Sequence, residues 1–326
     1  MINDLMYQFR DAICATGLEP PAFIEAGRLH RFPGMSKRLS NRAGWCILFE
    51  DGRGGSFGDW SSGFKAYWQA KQTRPLSKYE RDTFTRKIKA KREQNQAQLI
   101  TKQAETANKA LAIWHRSTAP NHNHPYLLRK GIKTNGAKQY KEALLLPVVD
   151  FNKKLTSLQF IDPNGDKRLL SGGRKKGCFI PIPKTGVFSS TGISGSQRSH
   201  EKISAYYADI AYRNDEIRTL KIIICEGWAT ACTLAEHEPN AWVLAAIDTG
   251  NLEAVALGVR SRWPQAEITV AGDDDRLTPG NPGATKAKLA ATVADALLAL
   301  PQWPEEAPDT LTDFNDLAIW LTGVRP

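Results

Sequence analysis

From Leu220 onward the chain alternates short apolar runs with helix-forming stretches, and this rhythm narrows the possible folds more than any other feature. The runs at 221–225, 241–246 and 267–271 predict strands, whereas Ala229 to Glu236, Leu252 to Ser261 and Ala284 to Leu300 predict helices. Strands that alternate with helices give an α/β fold, a parallel sheet flanked by helices on its faces. Acidic residues stand where two of these strands break at a glycine. Glu226-Gly227 follows Lys221-Ile-Ile-Ile-Cys, and Asp273-Asp274-Asp275 follows Ile268-Thr-Val-Ala-Gly.

In an open α/β sheet, ligand-binding groups collect beyond the carboxyl ends of the strands. Carboxylates gathered there repel one another unless a cation lies between them, and Mg²⁺ suits such a cage because it takes oxygen ligands and shares them with substrate phosphates. Asp273 and Asp275 alternate on an extended segment and so point to one side, with Asp274 turned away. Asp313 and Asp316, in Asp-Phe-Asn-Asp, either extend this acidic set or cap the final helix together with Asn315. Asp248 and Asn251, in Ile-Asp-Thr-Gly-Asn, follow another strand and either order the site or form a turn.

These motifs resemble the Toprim domain shared by bacterial-type primases, type IA and II topoisomerases and some nucleases. Glu226-Gly227 matches its Glu-Gly, and Asp273 with Asp275 matches its Asp-x-Asp. Asn281-Pro-Gly283 and the Asp313-Phe-Asn-Asp316 tail look more narrowly like the primases of plasmids, satellite phages and mobile elements, over roughly residues 118 to 326. The resemblance implies Mg²⁺ or Mn²⁺ held by Glu226, Asp273, Asp275, Asp313 and Asp316, with Glu226 as metal ligand or general base, supported by Gly227, Asp248, Asn251 and Gly283. It implies nucleotidyl transfer that builds short RNA from ribonucleotide triphosphates on a single-stranded DNA template, beside a replicative helicase or other replication protein. A Toprim nuclease and a non-catalytic single-strand-binding accessory protein stay open as alternatives. A topoisomerase is disfavoured by the short chain and the want of a catalytic-tyrosine domain.

The rest of the sequence divides into a small amino-terminal α+β domain at 1–75, a long basic helix at 76–117 and a smaller α+β subdomain at 118–216, ahead of the Toprim part at 217–326. Charge follows the division: residues 218–326 hold 8 Lys and Arg against 15 Asp and Glu, while the remainder holds 36 against 19. Such asymmetry suits a polyanion gripped by one part and processed by the other. In the first domain, Arg28, His30, Arg31, Arg38, Arg42, Arg53, Trp60 and Trp68 mix cations with aromatics, a combination that either grips phosphates and stacks bases or divides into core and solvated face. Residues 71–92 carry nine Lys or Arg against two acids, a helix face for a nucleic-acid backbone or a solvated connector.

His124-Pro-Tyr-Leu-Leu-Arg-Lys-Gly-Ile132 opens the subdomain, with Arg129 and Lys130 as candidates for nucleic-acid or nucleotide binding, and His124 reads as structural. Strands at Ala143 to Asp150 and Leu155 to Ile161 form a meander. The segment Lys167-Arg-Leu-Leu-Ser-Gly-Gly-Arg-Lys-Lys-Gly177 then presents Lys167, Arg168, Arg174, Lys175 and Lys176 on a glycine-rich backbone, which suits template or nucleotide phosphates. No Gly-x-x-x-x-Gly-Lys-Ser/Thr loop occurs, so no helicase motor is expected. The five cysteines never form a Cys-x-x-Cys pair, so no zinc is expected, although many primases of the resembling kind carry a zinc ribbon. With no run of 18 apolar residues, no membrane partner is expected and a cytoplasmic location is. The Ser- and Gly-rich stretch at 188–202 reads as a loop or linker.

Overall fold

The computed structural model describes residues 2–70, 78–183 and 220–323; the loop expected at 188–202 lies outside them. The chain separates into two compact units, 1–90 and 91–326.

In the first unit, helix α1 (Ile2–Cys14) packs on one face of an antiparallel sheet of β1 (Leu29–Phe32), β2 (Gly44–Leu48), β3 (Gly54–Asp59) and β4 (Phe64–Gln69), in the order β1-β2-β3-β4. Phe9, Ile13, Phe32, Cys46, Leu48 and Phe57 form the core beneath the helix. The Phe9 ring lies directly over Gly55, where a Cβ would come within 2.5 Å of it. Trp68, a candidate for either base stacking or the core, is packed against this core, its ring 5.4 Å from that of Phe9. The reason is strand parity: Trp68 is registered opposite Gly55, on the face that α1 covers. Arg28 pairs with Glu25 at 3.0 Å, and the Glu25 amide donates to the His30 ring at 3.0 Å, so these two candidates serve a local turn.

Helix α2 (Lys78–Arg116) is the long helix expected from the sequence. In the second unit its last turns pack Ala110, Ile113 and Trp114 against Leu145 and Leu158. After it come α3 (Pro125–Lys130) and an antiparallel sheet of β5 (Lys138–Tyr140), β6 (Ala143–Val149), β7 (Leu155–Ile161) and β8 (Lys167–Leu169). His124 is buried and caps α3: its ring accepts from the Tyr126 amide, and its other nitrogen meets the Glu142 carbonyl at 2.8 Å. That is the structural role its place before Pro125 suggests.

The carboxy-terminal sheet holds β10 (Lys221–Cys225), β11 (Trp242–Ala245), β12 (Glu267–Ala271) and β13 (Leu297–Ala299), all parallel, with β9 (Ile180–Pro181) antiparallel on the β11 edge. The order is β13-β12-β10-β11-β9. One face is covered by α4 (Trp228–His237), which packs Trp228, Ala231 and Cys232 onto Cys225, Val243 and Ala245. On the other, α5 (Leu252–Arg262) and α6 (Pro282–Val293) pack against Ile222, Ile224, Leu244, Ile268 and Val270. The last helix is α7 (Phe314–Thr322).

Covering both faces explains why these strands read as continuous apolar runs. The helix expected to reach Leu300 stops at Val293, because Asp295 takes a left-handed φ of 48° and ends it. The residues beyond turn back as β13, a fourth parallel strand.

Candidate active site

The strand order places β10 at the point where the connections diverge: the chain leaves it for β11 on one side, then crosses to β12 on the other. A crevice opens at the carboxyl end of such a strand. Glu226 is the residue that follows β10, and Gly227 begins the turn into α4. Asp273 and Asp275 follow β12 next door, and Asp248 follows β11 on the opposite side. The first residue of this set to be held is Asp275, whose carboxylate accepts from the Gly283 amide at 2.9 Å at the start of α6. Gly283 admits no side chain, since a Cβ there would lie 2.6 Å from the Asp273 carbonyl oxygen.

Asp274 turns away from its neighbours. One of its oxygens accepts from Asn281 at 2.6 Å and the other from the Trp303 indole at 2.9 Å. Asn281, in the left-handed region at φ 40°, also takes the Asp275 amide at 2.9 Å and caps α6. Asp274 thus ties the turn so that its flanking acids face the crevice.

The electrostatics record the convergence. Burial, followed by the charges of Glu226, Asp313 and Asp275, pushes the Asp273 carboxyl up to about 8, with Lys167 acting in the opposite sense. Burial also raises Glu226, with Asp248 and Asp275 adding to it; a hydrogen bond from Thr249 and the charge of Lys167 oppose. One oxygen of Asp273 and one of Asp248 are buried without a partner. Asp248 is set by a strained backbone: Ile247, just before it, holds φ at 80°, a region a β-branched residue rarely occupies.

Among the described residues, no three His, Cys, Asp or Glu side chains are close enough to grip an ion between them as they stand. The chemistry of the set fits a hard cation nonetheless: its donors are carboxylate oxygens, and Asp273 offers one with nothing to bind.

The two acids of the tail part company. Asp313 caps α7 through the Asp316 amide at 2.8 Å, accepts from the Thr230 hydroxyl at 3.1 Å and still raises Asp273. Asp316, expected among the metal ligands, is engaged elsewhere, paired with Lys130 at 3.0 Å and accepting from the Thr312 amide. Nor does Asn315 cap the helix. It is buried, and its amide donates to the Lys130 carbonyl at 2.7 Å and to Thr233 at 2.9 Å, fastening α3 to α7.

The cationic candidates divide in the same way. Lys167 lies beside the turn after β10, its ammonium 3.7 Å from where a Cβ on Gly227 would stand, and its charge acts on Asp273 and Glu226. Arg168 and Lys176 are exposed. Arg174 is paired with Asp150, and Lys175 with Asp248. Lys130 is spent on Asp316, and Arg129 donates to the Pro163 carbonyl while lying 5.7 Å from the Tyr126 ring. Asn251, a supporting candidate, is fully buried, donating to the Lys175, Cys178 and Ala246 carbonyls and accepting from the Gly177 amide at 2.9 Å. It fixes the basic loop to the β11 end of the sheet. Thr249 and Thr230, which touch Glu226 and Asp313, were not legible as site residues, although Thr249 sits inside the Ile-Asp-Thr-Gly-Asn motif.

Residues 221–320 match the Toprim domain family, so this sheet and its acidic edge are a Toprim domain. A DNA primase TraC of Escherichia coli is 27% identical over 304 residues, which cover 87% of this chain and 25% of that protein. A second TraC of the same species is 31% identical over 189 residues, 54% of this chain and 11% of the relative. The chain therefore spans a quarter or less of the length of these relatives. Among solved structures, a DNA primase domain from Pseudomonas aeruginosa aligns with a TM-score of 0.33 and 12% identity, covering 64% of this chain and 58% of the other. A bacteriophage T7 complex containing primase domains aligns at 0.37 and 14%, covering 63% and 91%.

Proposed function

We propose that this chain is the catalytic part of a plasmid-type DNA primase, a nucleotidyltransferase that joins ribonucleotides on a single-stranded DNA template. The observation that supports the reading is the place of Glu226, Asp273 and Asp275 just beyond two adjacent strands at the divergence point of a Toprim sheet, with Lys167 beside Gly227. The likeness to two TraC primases supports it.

Glu226, Asp273 and Asp275 would hold Mg²⁺ or Mn²⁺, with Asp248 and Asp313 shaping the charge around them. When bound, the metal would draw in the triphosphate and neutralise charge that builds up as the phosphodiester forms. Lys167 supplies a cation near the same point, so an incoming phosphate meets positive charge on a side otherwise lined by carboxylates. Arg168 and Lys176, both exposed, extend that cationic margin towards a template or nucleotide backbone. Asp316 and Lys130 are assigned instead to holding α7 on α3. The pairs Arg174–Asp150 and Lys175–Asp248 hold the basic loop in place before any strand arrives. A helicase partner and a plasmid setting belong to this same reading. No helix among the described residues is long and apolar enough to cross a membrane.

The test is incubation with single-stranded DNA, labelled ribonucleotides and Mg²⁺ or Mn²⁺. Short labelled RNA is expected, and its loss in Glu226→Gln and Asp273→Asn with DNA binding retained. Shortened DNA without synthesis would transfer the same carboxylates to a nuclease, and synthesis that survives both substitutions would overturn the assigned roles.

A further inference from the structure

The amino-terminal sheet has a second face, and its composition differs from the one under α1. Strand register settles which residues lie there: Arg31, Trp45, Gly58 and Lys65 form one cross-strand row, and Leu29, Ile47, Ser56 and Tyr67 the next. Among the described residues, no acidic side chain belongs to this face. Trp60, just past β3, folds back over it and stacks on Trp45, ring centroids 5.4 Å apart at 23°. Gly58 makes room, since a Cβ there would come within 3.1 Å of the Trp45 ring.

The cations sit against the rings. The Arg31 guanidinium lies 4.3 Å from the Trp60 centroid and is fastened to the Arg42 carbonyl, and the Lys65 ammonium lies 5.0 Å from the centre of Tyr67. Trp60 is 51% exposed and Tyr67 72%. What sets these two apart from other exposed rings is the cation held against each, which joins a flat apolar face to positive charge on one surface.

We propose that this sheet face is a binding platform for a single-stranded nucleic acid, with unpaired bases stacking on Trp60 and Tyr67 and phosphates meeting Arg31, Arg42 and Lys65. Flat rings accept any base, and cations beside them match the backbone charge; in a duplex the base faces are hidden from such rings. The want of acids on the face disfavours a basic partner, and the cations disfavour a purely apolar one. The platform uses no metal, no residue of the Toprim domain and no feature of the catalytic reading, so it stands or falls separately.

The probes are fluorescein-labelled dT20 and rU20, bound by the whole chain in EDTA and followed by anisotropy. Tyr67→Ala and Trp60→Ala should each weaken binding roughly tenfold, as the loss of one stacked base would. Tyr67→Phe and Trp60→Phe should restore it, and Lys65→Ala should lower the slope of log affinity against log salt by about 0.7. Whichever strand binds more tightly in this ring-dependent way names the natural ligand. Unchanged affinity in a folded Tyr67→Ala would overturn the proposal, and so would a 20-base-pair duplex competing as well as the single strands. Should Trp60→Ala unfold, the well-exposed Tyr67 alone decides.

Discussion

Replacing Asp273 by Asn should make the metal-free protein more stable, although the residue belongs to the proposed metal site. In the folded chain its carboxyl is raised from 3.8 to about 8, first by burial and then by Glu226, Asp313 and Asp275. A carboxyl raised in this way holds a proton in the folded state that the unfolded chain releases. Its contribution therefore favours the fold below about pH 4 and is lost as the pH climbs through 8. Each pH unit is worth about 1.4 kcal/mol, so at pH 7 the group weighs against folding by at most about 4 kcal/mol. The residue keeps some contact with water and an amide must still be buried, so Asp273→Asn is expected to add about 1–3 kcal/mol at pH 7. For a domain of this size that is about 2–4 °C in Tm for each kcal/mol. The assay is thermal and urea unfolding in EDTA from pH 5.5 to 8.5, where the advantage of the variant should grow with pH. Saturating Mg²⁺ should then raise the Tm of the wild type and leave that of the variant nearly unmoved, because a ligand stabilises only the form that binds it. A variant less stable than wild type in EDTA, an advantage that does not shrink towards pH 5.5, or an equal gain from Mg²⁺ in both proteins would refute the reasoning.

Lys167→Ala should leave the fold intact yet cut synthesis sharply, because Asp273 and Glu226 lose a cation that opposes their repulsion; a pH profile of activity displaced from wild type separates this from simple loss of substrate affinity. Asn251→Ala should cost about 3 kcal/mol in urea unfolding, since it strands the Lys175, Cys178 and Ala246 carbonyls and the Gly177 amide inside the protein. Gly283→Ala, which drives a methyl against the Asp273 carbonyl, should lower both Tm and Mg²⁺ uptake. Asp316→Asn should cost about 1 kcal/mol, the worth of a partly exposed pair with Lys130, while isothermal titration finds Mg²⁺ binding unchanged; lost binding would return Asp316 to the site.

What was legible in the sequence follows from how far each signal travels along the chain. The strands ending at Cys225 and Ala271 were readable because helices cover both faces of the sheet, so after the charged first residues Lys221 and Glu267 nearly every position is apolar. The acids after them were readable because a strand that ends at the carboxyl edge of such a sheet delivers the residues that follow it to the crevice. The helix expected up to Leu300 shows the limit. Its alanines favour a helix locally, but pairing of Leu297 with Thr269, from a strand nearly thirty residues earlier, turns the end of the segment into β13. The pairing of Asp316 with Lys130 was invisible for the same reason: 186 residues separate them, and no local pattern announces that each neutralises the other.

The tryptophans of the amino-terminal sheet carry the point furthest. Trp60 and Trp68 look alike in a sequence of alternating aromatics and glycines, and only the register decides which side of the sheet each occupies. Trp68 stands opposite Gly55, whose bare backbone accepts the Phe9 ring, and so it goes under α1. Trp60 lies past the last pair of β3, where Gly58 clears space for Trp45 to carry it on the other side. Two glycines three residues apart thus send one indole into the core and leave the other in solvent beside Arg31. Two substitutions check the argument: Trp45→Ala should unseat Trp60 and lower nucleic-acid binding further than stability, whereas Gly55→Val should collapse the core under α1 and unfold the unit.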